Sequence, residues 1–538
     1  PLAAGATVGL VFALARRLAT DTGGRPNPWA GLAAALAFGL GPVWWSQATV
    51  AEVYTLHLLL VAGMLTAALG VNHLAPDARL RRVTLVALLA GLGLAHHRTI
   101  LLTLPAVALY LAWSTPSLLR PQRAWLGWML ALLSPLLLYL YLPLRAVAGA
   151  ADLHASYRNT WAGFWDHVLA RSYSAFFAAN PLDAGYTLGD WLALARAQLG
   201  WVGLGLALIG LAWLVDRRGR PARAWAMILL MLTLNFLFVL RYRVADPEVF
   251  ALPVLLGLAI FTGGGVGLAG RLLPAPSAAL LQAALVVALV FSPGRGPTVD
   301  RHTDWTAHDL ARLMAATPFP PNSLVLGIEG EMSALRYMQA AEGLGRNATP
   351  LAADDPQQRM AAVEQALAAG RPTYLTRELA GIERRYSFSS EGALVRVWPR
   401  GMAQTPPAHG EPLALLDGQL TLTAETPRYS ALTAQPWLEV ALTWEPRAQL
   451  EQVLKLSFRL VDAGGAPLRW PDGRPVVEDR FPLRQVALTP DWLPGERVRD
   501  LHVLPVPPGA AQAARLQVIV YDSETLQELG RVELAANP

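Results

Sequence analysis

Apolar runs recur through the first 299 residues, each close to the roughly 20 residues a helix needs to cross a hydrocarbon core. Ten such runs lie near 1–16, 29–45, 52–72, 81–96, 99–114, 124–143, 199–215, 224–241, 250–270 and 277–292. They predict an α-helical multi-pass membrane domain of about ten spans over 1–299. The fourth and fifth runs are short and separated only by the polar knot His96-His97-Arg98. A single re-entrant hairpin there would leave the rest of the topology unchanged.

Beyond residue 300 the pattern changes. Helical periodicity over Trp305–Met314 precedes the apolar run Ser323–Ile328. Helices follow at Met332–Glu342 and Pro356–Ala369, then strands at Pro372–Thr376 and Leu394–Val397. This alternation predicts a small soluble α/β domain over 300–402 with parallel strands. Pro406-Pro407 marks a linker, and from 410 to 538 strands dominate. Val453–Val461, Val498–Val503 and Arg515–Tyr521 are separated by the turns Gly464-Gly465, Pro471-Asp472-Gly473 and Pro494-Gly495, which is the spacing of a β-sandwich domain.

Charge sharpens the division. Residues 1–299 carry 21 Arg against 10 Asp and Glu, whereas 300–538 carry 23 Lys and Arg against 29 Asp and Glu. The basic pI therefore belongs to the apolar part, where arginines sit between hydrophobic runs and not on a soluble basic face. No nucleic-acid partner is expected. The arginines read instead as topology signals, because cytoplasmic loops collect them. Arg16, Arg17 and Arg25 follow the first run, and Arg79, Arg81 and Arg82 the third. Arg120 and Arg123 follow the fifth, Arg217, Arg218, Arg220 and Arg223 the seventh, and Arg271 the ninth. Odd-numbered spans then run inward. Pro1 and everything after the last span lie outside, which predicts a plasma-membrane protein with extracytoplasmic soluble domains. A chain that starts in the cytoplasm would need one more helix and outer loop ahead of Pro1, so an N-terminal truncation is expected. The chain has no cysteine, which removes disulfides and thiolate metal sites.

Candidate chemistry collects at the outer ends. The outer connections are Trp44–Ala51, His96–Arg98, Leu144–Gln198 and Arg241–Val249. In Leu144–Gln198, Trp161, Trp165, His167, Arg171, Tyr173, Phe176 and Phe177 alternate aromatic with charged groups, as in helices lying on a leaflet. Glu52 starts the third span and is either a solvated interfacial carboxylate or a functional group, since burying one unpaired is costly. His57 lies deeper and reads equally as a packing hydrogen bonder. His96 and His97 point about 100° apart on a helix and make no chelating pair, so no metal is expected. Arg98 either holds a phosphate with its planar fork or snorkels to headgroups. Arg241, Arg243, Asp246 and Glu248 either pair with one another or line a site, and Arg145 ends the sixth span at the same surface. The glycine run Gly263-Gly264-Gly265-Val266-Gly267 lies within a span and precedes no Lys-Ser/Thr, so it reads as close helix packing and not as a phosphate loop.

Several of these strings share one resemblance. Pro42–Leu56 (PVWWSQATVAEVYTL), Gly91–Thr99 (GLGLAHHRT), Tyr141–Arg145 (YLPLR) and Asp246–Pro253 (DPEVFALP) resemble motifs of a bacterial multi-pass family related to protein O-mannosyltransferases, within the GT-C superfold. Pro321–Leu326 and Arg336–Gln339 are similar to that family's soluble extension, so the resemblance covers roughly 1–400. It implies a glycosyltransferase that moves a sugar, mannose or another hexose, from a polyprenyl-phosphate donor to a protein or glycan acceptor outside the membrane. It further implies that Glu52, His97, Arg98, Arg145, Asp246 and Glu248 hold the donor phosphate and shape the sugar pocket. In the family an aspartate of the first outer loop is the base. That loop would precede Pro1, so the catalytic base is unknown among these residues. Transfer by a positioned carboxylate base needs no metal, and no cofactor is expected. A transporter or flippase of lipid-linked saccharides would use the same arginines. Its usual marks are inverted repeats and broken midplane helices, and neither is evident. A non-catalytic envelope assembly protein is a third reading.

The arginine asymmetry makes a direct prediction. A reporter that works only after export, fused behind residue 300 of the protein with its expected upstream helix, should be active. Cytoplasmic activity at that point would sink the arrangement.

Overall fold

Proline in the first turn of a helix loses no internal hydrogen bond, and here it cuts the apolar part of the chain into shorter helices than the runs suggest. The computed structural model describes residues 1–538 except 22, 151–156, 172–176, 178–185, 216–221, 245, 293–298, 300, 301, 303, 404, 407, 431, 435, 471, 472, 508–514 and 536–538. It divides into two units, Pro1–Asp300 and Arg301–Pro538. The first unit begins with α1 (Leu2–Leu18), α2 (Pro28–Gly39), α3 (Pro42–Thr49), α4 (Tyr54–Leu69) and α5 (Pro76–His96). It continues with α6 (Leu104–Ser114), α7 (Ala124–Leu133), α8 (Tyr141–Val147), α9 (Trp161–Val168) and α10 (Leu188–Gly210). It ends with α11 (Ala222–Val239), α12 (Pro247–Phe250), α13 (Leu252–Gly270) and α14 (Ala275–Val290).

Each of the ten expected runs falls on helix, but the count of ten spans is not reached by length. Among the described residues, five stretches are long and apolar enough to cross a membrane: Tyr54–His73, Ala124–Val147, Leu188–Leu214, Ala222–Val239 and Leu252–Gly270. Pro28–Gly39, Arg98–Ser114 and Ala275–Val290 are shorter apolar helices. At 1.5 Å per residue, α2 covers about 18 Å of a core about 30 Å thick. The run near 29–45 breaks because Pro42 opens α3 just behind Leu40-Gly41. The long connection expected up to Gln198 ends in a helical segment that breaks at Gly200 (φ 69°), next to the expected start of the seventh span. Thr187 and Asp190 form a reciprocal capping box that starts α10 at Leu188. Within it α9 is helical as expected, while Tyr173 and Phe176 lie outside the described residues, as do Arg217, Arg218 and Arg220.

Helix α13 is the centre of this unit, with almost every residue from Leu252 to Gly267 buried. Its glycines permit that. A Cβ on Gly265 would collide with the Leu206 carbonyl of α10, and one on Gly263 with the Ala30 carbonyl of α2. Gly210 of α10 is equally tight against the Phe261 carbonyl. The Trp213 indole donates to the Gly264 carbonyl at 2.9 Å, and Arg271 covers the same ring at 4.1 Å. Ala124–Val147 is the opposite case, with almost no surface enclosed by protein.

In the second unit, α15 (Thr306–Ala315), α16 (Glu329–Tyr337) and α17 (Pro356–Ala368) accompany β1 (Ser323–Gly327), β2 (Ala348–Ala352), β3 (Thr373–Leu375), β4 (Tyr386–Glu391) and β5 (Leu394–Pro399). The sheet order is β2-β1-β3-β5-β4. Strands β2, β1 and β3 are parallel, while β5 adds antiparallel to β3 and β4 antiparallel to β5. Next come β6 (Pro412–Leu415), β7 (Leu420–Ala424), β8 (Arg428–Tyr429), β9 (Trp437–Pro446) and β10 (Leu454–Val461). The last strands are β11 (Val477–Arg480), β12 (Val498–Pro505), β13 (Arg515–Asp522) and β14 (Glu528–Ala535). They form two antiparallel sheets, β11-β10-β13-β14 and β12-β9-β7-β6, with β8 on β9. Leu422, Leu438 and Trp444 of one sheet share a core with Leu456, Phe458 and Val518 of the other, and Leu324, Val363 and Val395 of the α/β layer join it. Pro407 and Pro471-Asp472, read as linker and turn, lie outside the described residues.

The glycine packing is testable. Gly265→Ala forces α10 away from α13 and should destabilise the protein by about 1–3 kcal/mol, the usual cost of overpacking. Gly5→Ala, with open space around it, should leave the detergent melting temperature near wild type. Equal melting temperatures for both variants would refute the close approach.

Candidate functional site

Three turns distant in sequence meet at one end of the first unit. The turn between α3 and α4 carries exposed Glu52. His96, the last residue of α5, reaches that turn through a 3.0 Å hydrogen bond between Nε2 and the Val53 carbonyl. Tyr54 opens α4, and its ring lies 5.6 Å from the His97 ring and 5.6 Å, edge on, from Phe250. Phe250 ends α12, which begins directly behind Asp246. Glu52, His97, Asp246 and Glu248 are thus carried on segments that touch one another.

The electrostatics agree with this placement. Partial burial and the neighbouring Glu52 carboxylate push the Asp246 carboxyl above its usual range, against one backbone hydrogen bond that lowers it. Glu248 accepts a 3.4 Å hydrogen bond from the Tyr186 hydroxyl. Beside it, Tyr186, Trp191, Tyr242, Arg243 and Pro247 line a recess of about 120 Å³. Tyr242 stacks on Phe238 and meets Phe250 edge on, both at 4.9 Å, so the wall of this recess is continuous with the Tyr54–His97 cluster.

Below the knot lies a buried polar chain. His57 is 2% exposed, one turn inside α4. Its Nε2 stands 3.1 Å from Thr99 Oγ1, which stands 2.7 Å from His97 Nδ1. The two imidazoles lie 4.7 Å apart. Residue-by-residue reading leaves out Thr99, Tyr54 and Phe250. The i, i+2 spacing of His97 and Thr99, with His57 a turn into the preceding span, is the available signal for the first of them.

The two arginines fall differently. Arg98 Nε donates to the Val168 carbonyl at 2.8 Å, and its Nη2 donates to the His167 carbonyl. The Val168 carbonyl is one of those left over at the C-terminus of α9, while the His167 carbonyl also accepts from the Ala170 amide at 3.1 Å, and a cation there meets the favourable end of the helix dipole. Thr160 caps the other end by accepting from the Gly163 amide. Two of the Arg98 donors are therefore spent on holding α9. Arg145 is exposed on α8 with its guanidinium 5.9 Å over Tyr141 of the same helix. Among the described residues no hydrogen bond or ion pair joins it to Glu52, His97, Asp246 or Glu248. No group of three or more His, Asp and Glu among the described residues is arranged to hold a metal ion.

The Arg98 clamp predicts a local effect. Arg98→Ala should raise amide exchange over 161–168 at least tenfold, because two charge-assisted hydrogen bonds of about 1.5 kcal/mol or more are lost. Arg98→Lys keeps the charge without the fork and should recover part of the protection. Unchanged exchange in Arg98→Ala would remove the clamp.

No curated protein matches the chain in sequence. Among solved structures it is similar to ArnT from Cupriavidus metallidurans bound to undecaprenyl phosphate, at 14% identity and a TM-score of 0.47, over 75% of this chain and 84% of that one. Residues 2–119 match the family model described as the protein O-mannosyl-transferase TMEM260 N-terminal domain. These residues, which hold Glu52, His57 and the His96–Thr99 knot, are similar to that domain, and the motifs Pro42–Leu56 and Gly91–Thr99 lie within the match, whereas Tyr141–Arg145 and Asp246–Pro253 lie outside it.

Proposed function

We propose that the protein is a multi-pass membrane glycosyltransferase of GT-C type. It transfers a hexose, mannose in the first instance, from a polyprenyl-phosphate-linked donor to a protein or glycan acceptor on the extracytoplasmic side. The observation that carries this reading is the meeting of the Glu52 turn, the His96–Thr99 knot and the Asp246–Phe250 turn. Two of those three segments belong to the stretch related to O-mannosyltransferases. In this reading about ten helices span the bilayer, and the second unit, with its α/β domain over 300–402 and β-sandwich over 410–538, lies outside.

The roles follow from charge. Glu52, Asp246 and Glu248 form an acidic side, suited to hydroxyl groups of a sugar and hostile to a phosphate. Arg145 supplies the cation for the donor phosphate at the surface, where a lipid-linked phosphate presents its charge. Arg98 contributes by fixing α9 beside the knot. No metal enters, and the base is left unassigned.

The test is donor kinetics with labelled polyprenyl-phosphate hexose in vesicles. A charge-assisted bond from Arg to phosphate contributes about 1.5–3 kcal/mol, so Arg145→Ala should lower donor kcat/KM roughly ten- to a hundredfold. Arg145→Lys should recover only part, having charge without the bidentate fork. Donor kinetics unaltered in both variants would rule out the phosphate role. Movement of the labelled lipid across the bilayer without sugar transfer would overturn the enzyme reading.

A further inference from the structure

Thr99 has one hydroxyl hydrogen and sits between two imidazole nitrogens, His57 Nε2 at 3.1 Å and His97 Nδ1 at 2.7 Å. It can donate to one of them only and must accept from the other. With both rings neutral, two arrangements exist. In the first, Thr99 donates to His57, so the hydrogen of His57 sits on Nδ1 and that of His97 on Nδ1. In the second, Thr99 donates to His97, so the hydrogens sit on His57 Nε2 and His97 Nε2.

The far nitrogen of His57 decides between them. His57 Nδ1 is buried and has no hydrogen-bond partner among the described residues. The first arrangement leaves a buried N–H without an acceptor, whereas the second leaves only a lone pair without a donor. Among backbone groups of folded proteins an unpaired buried N–H is rarer than an under-satisfied acceptor, and the same preference places the hydrogen of His57 on Nε2.

We infer that the buried His57–Thr99 pair locks His97 in the tautomer that carries its hydrogen on Nε2, making His97 a neutral hydrogen-bond donor beside Tyr54 and the acidic turn. His57 and Thr99 are positioning residues, and the donor is His97. Its N–H suits an oxygen that gains negative charge during transfer, a phosphate oxygen of the departing polyprenyl phosphate above all, because a preoriented donor stabilises charge as it develops. That use of the N–H rests on the transferase reading; the lock itself does not.

The experiment combines nitrogen NMR with the transfer assay. Protein labelled with 15N-histidine in nanodiscs, with His97→Gln to assign the signal, should show the hydrogen on Nε2 and a bare Nδ1. Thr99→Val removes the bridge and should give a mixture of tautomers, while Thr99→Ser restores the single form. Transfer from labelled polyprenyl-phosphate hexose should fall about tenfold in Thr99→Val, the worth of one hydrogen bond to a charged group, and recover in Thr99→Ser. If Thr99→Val does not fold, His57→Leu, which removes the far partner, is read in the same way. A hydrogen on Nδ1 of wild-type His97, or an unchanged tautomer after loss of the bridge, overturns the lock. A lock that holds while Thr99→Val transfers at the wild-type rate overturns the role given to the His97 N–H. Absence of transfer by a wild-type protein whose lock is intact counts against the glycosyltransferase reading alone.

Discussion

A polar group enclosed among apolar helices must find a partner inside the protein, because leaving it unpaired costs several times what a hydrogen bond contributes. That constraint organises the first unit. Gln198, wholly buried on α10, accepts from the Val43 amide at 3.1 Å and donates to the Phe38 carbonyl at 3.5 Å. It thereby satisfies the backbone at the break between α2 and α3. Asn27 caps α2 by accepting from the amides of Trp29 and Ala30. Thr262 reaches across from α13 to the Gly203 carbonyl. Asn27 closes the start of its own helix, while Gln198 and Thr262 each fix one helix against another. His57, Thr99 and His97 belong to the same set. One imidazole nitrogen, His57 Nδ1, is left over, and that remainder gives the site its direction.

The close approach of helices and the pairing of polar groups depend on each other. Trp213 can donate to the Gly264 carbonyl because a glycine in α13 leaves its carbonyl accessible. Small residues at the α13 interfaces bring backbones near enough for side chains such as Thr262 to bond across them, as in other membrane helix pairs. The site is built at the edge of this packing. Helix α12 leads directly into α13, so the Asp246–Phe250 turn is placed by the best-packed helix of the unit.

The period of the apolar runs made the helices legible, and their breaks were less so. The composition around Gly39-Leu40-Gly41-Pro42 reads as one run because its residues are apolar, yet Pro42 stops any helix that would pass through it. In the α/β domain two strands escaped for opposite reasons. Strand β2 contains Pro350 and is tolerated because it is an edge strand of the sheet. Strand β4 reads as loop because Ser387, Ser389 and Ser390 are polar, yet all three are buried against β5. At the site, Glu52, His97, Asp246 and Glu248 stood out by their charge at apolar ends. Tyr54 and Phe250 did not, since an aromatic residue at a span end is ordinary. Their role comes from a contact between residues nearly two hundred positions apart, which no local pattern encodes.

The arrangement of charge constrains how any donor would lie. Burial first, and the Glu52 carboxylate after it, raise the Asp246 carboxyl above its usual range, so this turn already disfavours a further negative charge before any ligand arrives. A phosphate set among them would add a third like charge. A lipid-linked donor in the proposed reading therefore has its sugar hydroxyls toward Glu52 and Asp246, with its phosphate held away from them toward cationic or N–H donors. Of those donors, Arg98 has already committed two to α9, and Arg145 is exposed on Ala124–Val147, a segment little covered by the rest of the protein. His97, within the knot, lies against Tyr54 at the end of the acidic turn. A neutral N–H there can meet an anionic oxygen without carrying a charge into the apolar helices, which a lysine or arginine in the same place would do at far greater desolvation cost.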